Sequence, residues 1–170
     1  MPGFAFASAV TTLVGQSLGA GKPKLAERYT YTCLTAAVVT MVFAGAVLYI
    51  FAEPLVSLFT PDRQVIALAA RCLRIVAFLE PPQSGATVFA GALRGAGDTL
   101  WTMYITMAGM WGIRAIGAFV CLRLLRMELT AACTCMLVES CVRIVLFWLR
   151  FHTGNWKYAI KDIEATKKEA

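Results

Sequence analysis

Apolar residues run with little interruption along most of the chain, and the charged positions that break the runs fall at intervals suited to helices crossing a bilayer. Such a span needs about 20 largely apolar residues. The first candidate covers residues 2–18 and is closed by Gly19-Ala20-Gly21 and then Lys22-Pro23, glycine and proline being ordinary helix-stop chemistry. The second covers residues 29–52, carries no charge, and ends near Glu53-Pro54, with 55–59 able to extend it. The third, 63–93, carries Glu80 and has Pro81-Pro82 in its middle. Two missing backbone donors predict a kink or break there. The fourth covers 100–122 with Arg114 inside, and the fifth 129–149 with Glu139 and Arg143 inside. Gly154 then fits a C-cap, Trp156 and Lys157 fit the headgroup layer, and residues 157–170 form a charged tail. The pattern predicts an all-α integral membrane protein with about five transmembrane helices in one bundle, 1–156, with no interdomain linker.

Composition supports a bilayer over water. Of the 170 residues 59% are hydrophobic and 15% charged, with a mean hydropathy of +0.67. A soluble domain has about a quarter of its residues charged, and a chain this short cannot build a dry core large enough for these runs. Residues 1–20 lack the basic start and the cleavage pattern of a signal peptide, so they read as a first span. The net charge of +6 does not point to nucleic acid, because the basic residues flank apolar runs instead of forming a stripe with exposed aromatics. Cysteines 33, 121, 133, 135 and 141 lie inside apolar runs, only Cys72 lies outside, there is no CxxC, and the only histidine is His152. Structural thiols are expected, with no metal site and no cofactor.

Five spans place the termini on opposite sides. Lys22, Lys24, Arg28, Arg94, Arg150, Lys157, Lys161, Lys167 and Lys168 fall on one side, and Arg63, Arg71, Arg74, Arg123 and Arg126 on the other. The positive-inside rule makes the first side, with the C-terminal tail, cytoplasmic. The membrane itself would be a plasma or bacterial inner membrane.

Three segments carry a family resemblance: TTLVGQSLGAGKPKLAER at 11–28, GALRGAGDT at 91–99 and RFHTGNWK at 150–157. In this order and at these spacings they resemble the multidrug and toxic compound extrusion (MATE) family. WGIRAIGAF at 111–119 is similar to that family's W-x-x-R-x-P-x-A-Y stretch, with Ile116 at the proline position, which implies a straighter fourth helix. The resemblance implies part of the C-terminal six-helix lobe, helices eight to twelve, with helix seven and the N-terminal lobe as missing partners. It also implies a cytoplasmic C-terminus. The acidic residue of the sodium-coupled branch would align nearer Gln83 than Glu80.

Ionisable residues at membrane depth are costly and are functional candidates by default. Glu80 beside the prolines, with backbone carbonyls freed by a helix break, would suit a cation; pairing with an arginine is the structural alternative. Glu139 and Arg143 are spaced i, i+4 with the acid first, and a static ion pair is the commoner role. Arg114 has no acid within a turn of its own helix, so an interhelical partner, Glu80 or Glu139, is expected, with a substrate or gate role as the alternative. Arg94-Gly95-Ala96-Gly97-Asp98 reads as a helix-end loop in which Asp98 caps the fourth helix and Arg94 faces headgroups; Gly19 and Gly21 mark a second such turn. Gln16 is expected to make a polar contact inside the lobe. Phe89, Trp101, Tyr104, Met107, Met110 and Trp111 could line a pocket for aromatic cations, although a packing or lipid-facing stripe is the commoner role.

No nucleophile–base pair, metal cluster or cofactor loop supports an enzyme. The resemblance implies a fragment of a secondary antiporter exporting amphipathic, cationic drugs or metabolites in exchange for H⁺ or Na⁺. A lipid-linked saccharide flippase of the wider superfamily and a non-transporting membrane interaction subunit are the alternatives.

Overall fold

The structure is a computed structural model and describes residues 2–59, 61–119, 129–154 and 156. Residues 120–128, which hold Cys121, Arg123, Arg126 and the end of the fourth expected span, lie outside the described residues, as does the expected tail 157–170. The elements in chain order are α1 (Pro2–Gly19), α2 (Pro23–Ile50), α3 (Ala52–Ser57), α4 (Arg63–Gly95) and α5 (Thr99–Met107). A π-helical stretch (Ala108–Ala115), α6 (Ile116–Phe119) and α7 (Leu129–His152) follow.

Local chemistry sets most of these limits. Gly21 takes φ 71°, and Pro23 then opens α2 at a position where its missing N–H costs nothing. The helix thus starts six residues ahead of its uncharged run. Pro54 does not end α2; it falls in the first turn of the separate helix α3. Asp62 caps α4, its carboxylate accepting from the Gln64 backbone N–H at 2.9 Å.

Two expectations about helix shape need correction. The α4 helix is unbroken from Arg63 to Gly95 with Pro81 and Pro82 inside it. The bonds lost to the carbonyls of 77 and 78 are two among many, and α4 is held along its length by α1, α2 and α7. The fourth span is not a straight α-helix, even with Ile116 in place of a proline. It changes to π winding over Ala108–Ala115, and π segments often occur at functional sites.

The bundle is built around the second half of α4, where Ser84, Gly85, Ala86 and every residue from Val88 to Leu93 are buried. Small residues let backbones approach closely, which drives helix association where lipid removes the hydrophobic advantage. Gly91 and Gly95 form a G-x-x-x-G face against α1. A Cβ on Gly91 would come 2.6 Å from the Ala7 carbonyl oxygen, and one on Gly95 would strike the Thr11 carbonyl. The Thr11 hydroxyl donates to the Gly91 carbonyl at 2.9 Å across the same seam. Outside this core, large apolar side chains face outward, including Val39, Phe43 and Ile50 on α2 at 62%, 73% and 70% exposure. Soluble monomers rarely expose apolar area on that scale, and lipid is the medium that accepts it. One helix among the described residues, Pro23–Ile50, is long and apolar enough to cross a membrane by length and composition alone.

Candidate functional site

Depth along α4 locates the polar groups. Arg74 and Arg94 are twenty residues apart, about 30 Å along a helix, which matches the hydrocarbon thickness. Gln83 lies close to halfway between them, and Glu80 is less than a turn from it toward Arg74.

At Gln83 the structure assembles a polar cluster from α4 and α7. The Gln83 side-chain oxygen accepts from the Ser140 hydroxyl at 2.8 Å and from the Arg143 guanidinium. Arg143 also lies 3.3 Å from Glu139, whose side chain is 2% exposed. That contact is an ion pair by distance only. Glu139 Oε1 and Arg143 Nε are both buried without a hydrogen-bond partner among the described residues. The π-helical stretch closes the far side, since a Cβ on Gly109 would sit 3.0 Å from Glu139 Oε1. Glu139, Arg143 and Gln83 were legible as candidates in the sequence; Ser140 and Gly109 were not. Ser140 follows an acid inside an apolar run, which was its one signal.

A cavity of about 410 Å³ opens beside this cluster, with Gln83 and Arg143 on its wall. The rest of the wall mixes hydroxyls from Thr87, Thr102 and Thr106 with Phe4, Met103, Met107 and Phe147, and Arg94 stands at its far end. Such a lining suits an amphipathic molecule: mostly apolar, with a few fixed polar groups.

The other sequence candidates fall elsewhere. Glu80 is half-exposed outside the cavity wall and has no partner among the described residues. Arg114 pairs with neither Glu80 nor Glu139, against expectation; it is exposed on the π-helical stretch, 3.8 Å from the Met136 sulfur. Gln16 is exposed, not an internal polar contact. Of the proposed aromatic pocket, Phe89 is buried in the core, and Trp101, Tyr104, Met110 and Trp111 face outward; Met107 alone lines the cavity.

Asp98 requires a further correction. It makes no side-chain cap on α5. Its carboxylate instead accepts from Arg150 Nε at 2.9 Å, and the Arg150 guanidinium lies 4.8 Å from the Trp101 ring centroid. Arg94 is exposed and donates from Nε to its own helix at Ala90. The three positive-φ glycines, Gly21, Gly97 and Gly154, each turn the chain at a helix end. Gly19 ends α1 with open space around it. Phe151 joins these turns: its ring stacks on Trp156 at 4.6 Å and meets Phe89 and Tyr31, while its carbonyl accepts from the Trp156 indole at 2.7 Å. The motif segments 11–28 and 91–99 and the described residues of 150–157 thus converge at one end of the bundle.

Among known proteins, the MatE family profile matches residues 1–120. The chain is 31% identical over 169 residues to the probable multidrug resistance protein NorM of Thermotoga maritima, covering 99% of this chain and 36% of that protein. It is 33% identical over 110 residues to the multidrug resistance protein PmpM of Pseudomonas aeruginosa, covering 65% of this chain and 23% of that one. The crystal structure of the eukaryotic MATE transporter AtDTX14 superposes with a TM-score of 0.85 at 22% identity, over 94% of this chain and 36% of that one. The chain therefore spans about a third or less of the length of these relatives, and it belongs to the MatE family of membrane transporters.

Proposed function

We propose that the chain forms part of a secondary active antiporter that exports amphipathic, cationic drugs or metabolites in exchange for H⁺ or Na⁺. The observation that carries this reading is the buried Glu139–Arg143–Gln83 cluster at mid-depth beside a cavity of about 410 Å³. Ionisable groups at that depth facing a cavity mark transport pathways. Multidrug resistance proteins among the relatives agree with the substrate class. The chain corresponds to part of the C-terminal lobe, its C-terminal end is cytoplasmic by the Lys/Arg asymmetry, and the remaining part of the transporter supplies the opposite wall. The test is ethidium efflux from cells lacking their own exporters and carrying the full-length transporter, with Gln83→Ala and Arg143→Met variants. Efflux that collapses the imposed H⁺ or Na⁺ gradient and falls at least tenfold in either variant supports the proposal. Efflux independent of both gradients overturns it.

One observation favours a second reading. Among the described residues the cavity wall carries Arg94 and Arg143 and no carboxylate, which suits a phosphate-bearing substrate such as a lipid-linked saccharide. Flipping of a fluorescent lipid-linked oligosaccharide in vesicles, without ethidium efflux, would select it.

A further inference from the structure

A second groove lies on the outer face of the bundle between α2 and α4, away from the polar cluster. Its volume is about 410 Å³, and its wall is almost wholly apolar: Val42, Ala46 and Ile50 from α2 and Ala77, Phe78 and Pro81 from α4. It meets a basic hollow lined by Arg71, Arg74 and Ile75. Tyr49 and Phe78 belong to both, their rings 5.7 Å apart and edge to face. We propose that this continuous surface binds one anionic glycerophospholipid, its phosphate on Arg71 and Arg74 and one acyl chain in the groove.

Length, charge and depth agree on this occupant. From Arg74, at the edge of the hydrocarbon, to Pro81 is seven residues, about 10 Å of helix, which lies within one leaflet, while Arg71 stands one turn farther out at headgroup level. Arg71 is exposed and has no partner among the described residues. Arg74 lies 5.7 Å from the Tyr49 ring and 2.9 Å from Glu53, with both members of that pair well exposed. Two cations and one carboxylate leave the mouth net positive. Tyrosine at this level is the usual interfacial residue. The close approach at Gly45, where a Cβ would meet the Ala77 carbonyl oxygen at 2.7 Å, forms the floor of the groove.

The test measures lipid binding to the full-length transporter purified in detergent, by native mass spectrometry with dioleoyl phosphatidylglycerol and dioleoyl phosphatidylcholine. Phosphatidylglycerol should bind at least tenfold more tightly than phosphatidylcholine, and Arg71→Ala/Arg74→Ala should remove most of that preference, on the order of tenfold. Ala46→Trp, at an exposed position, should fill the groove and weaken both lipids while retaining the basic mouth. Circular dichroism and gel filtration keep the comparison to folded protein. Equal binding of the two lipids would reduce the site to unselective annular contact and overturn the proposal. Full phosphatidylglycerol binding by Ala46→Trp would remove the acyl chain from the groove and overturn it too. No bound lipid at all would mean that another segment of the transporter covers this face, and the proposal would fall in that case as well.

Discussion

Gly45 of α2 rests against the carbonyl oxygen of Ala77 on α4, the acceptor that Pro81 cannot reach with an i→i−4 hydrogen bond. A Cβ at Gly45 would come 2.7 Å from that oxygen. The missing side chain lets the α2 backbone pack close to the freed carbonyl. One of the two carbonyls that the double proline frees is thereby packed over.

Gly45→Ala should push α2 from α4 and lower stability by about 1–3 kcal/mol, the usual cost of overpacking. A thermal-unfolding series in detergent measures this, with Ala46→Ser at the exposed neighbouring position as control. An unchanged midpoint for Gly45→Ala would show that α2 has room to give.

This contact also shows why the sequence was legible only in part. The apolar runs, the glycine turns and the i, i+4 spacing of Glu139 and Arg143 are local signals, and each could be read from neighbouring residues. The backbone that packs over the carbonyl freed by Pro81 comes from Gly45, thirty-six residues earlier in the chain, where no local reading would look. Asp98 had the local signature of a helix cap, yet Arg150 outcompetes the backbone N–H groups for its carboxylate. Gln83 became a candidate through family resemblance; its bonds to Ser140 and Arg143 appear only once α4 and α7 are side by side. The π winding over Ala108–Ala115, which carries Arg114, has no simple residue code.

The Asp98–Arg150 pair ties the α4–α5 turn to the end of α7. Asp98→Ala leaves a largely buried guanidinium without its carboxylate and should cost about 2–4 kcal/mol, toward the low end for a buried pair because Arg150 keeps some solvent contact. Arg150→Lys should recover only part of the native stability. An ammonium keeps the charge but loses the planar group over Trp101. Thermal midpoints of the three proteins check this ordering; equal stability of Arg150→Lys and the native protein would contradict the role of the ring.

Cys72 on α4 and Cys133 on α7 are free thiols close enough to influence each other. Thiolate is the reacting form, so copper-phenanthroline should link the two residues slowly at neutral pH and faster as the pH rises. Mass spectrometry of the digested protein reads the Cys72–Cys133 disulfide. Absence of this link at alkaline pH, with Cys72 still alkylated by maleimide, would contradict the packing of α4 on α7.

The last prediction separates the acid that holds the fold from the acid free to serve transport. Glu139 is buried against Arg143, whereas Glu80 is half-exposed with no partner among the described residues. Glu139→Gln removes the counter-charge from Arg143 and should cost about 3–5 kcal/mol, the value for a broken buried pair in water-soluble proteins. Adding Arg143→Met should return most of that loss, because no uncompensated charge remains. Glu80→Gln breaks no contact and should stay within about 0.5 kcal/mol of the native protein. Combining it with Arg114→Ala should give an additive result, since the two side chains do not meet. Thermal unfolding and ethidium efflux measured on the same purified full-length variants give both coordinates. Loss of efflux in a fully stable Glu80→Gln protein assigns coupling to Glu80. Full efflux in that variant leaves Gln83 and the α7 cluster as the coupling elements within this chain. A Glu139→Gln protein as stable as the native one would refute the structural role of the ion pair, because it would mean that Arg143 finds its counter-charge elsewhere.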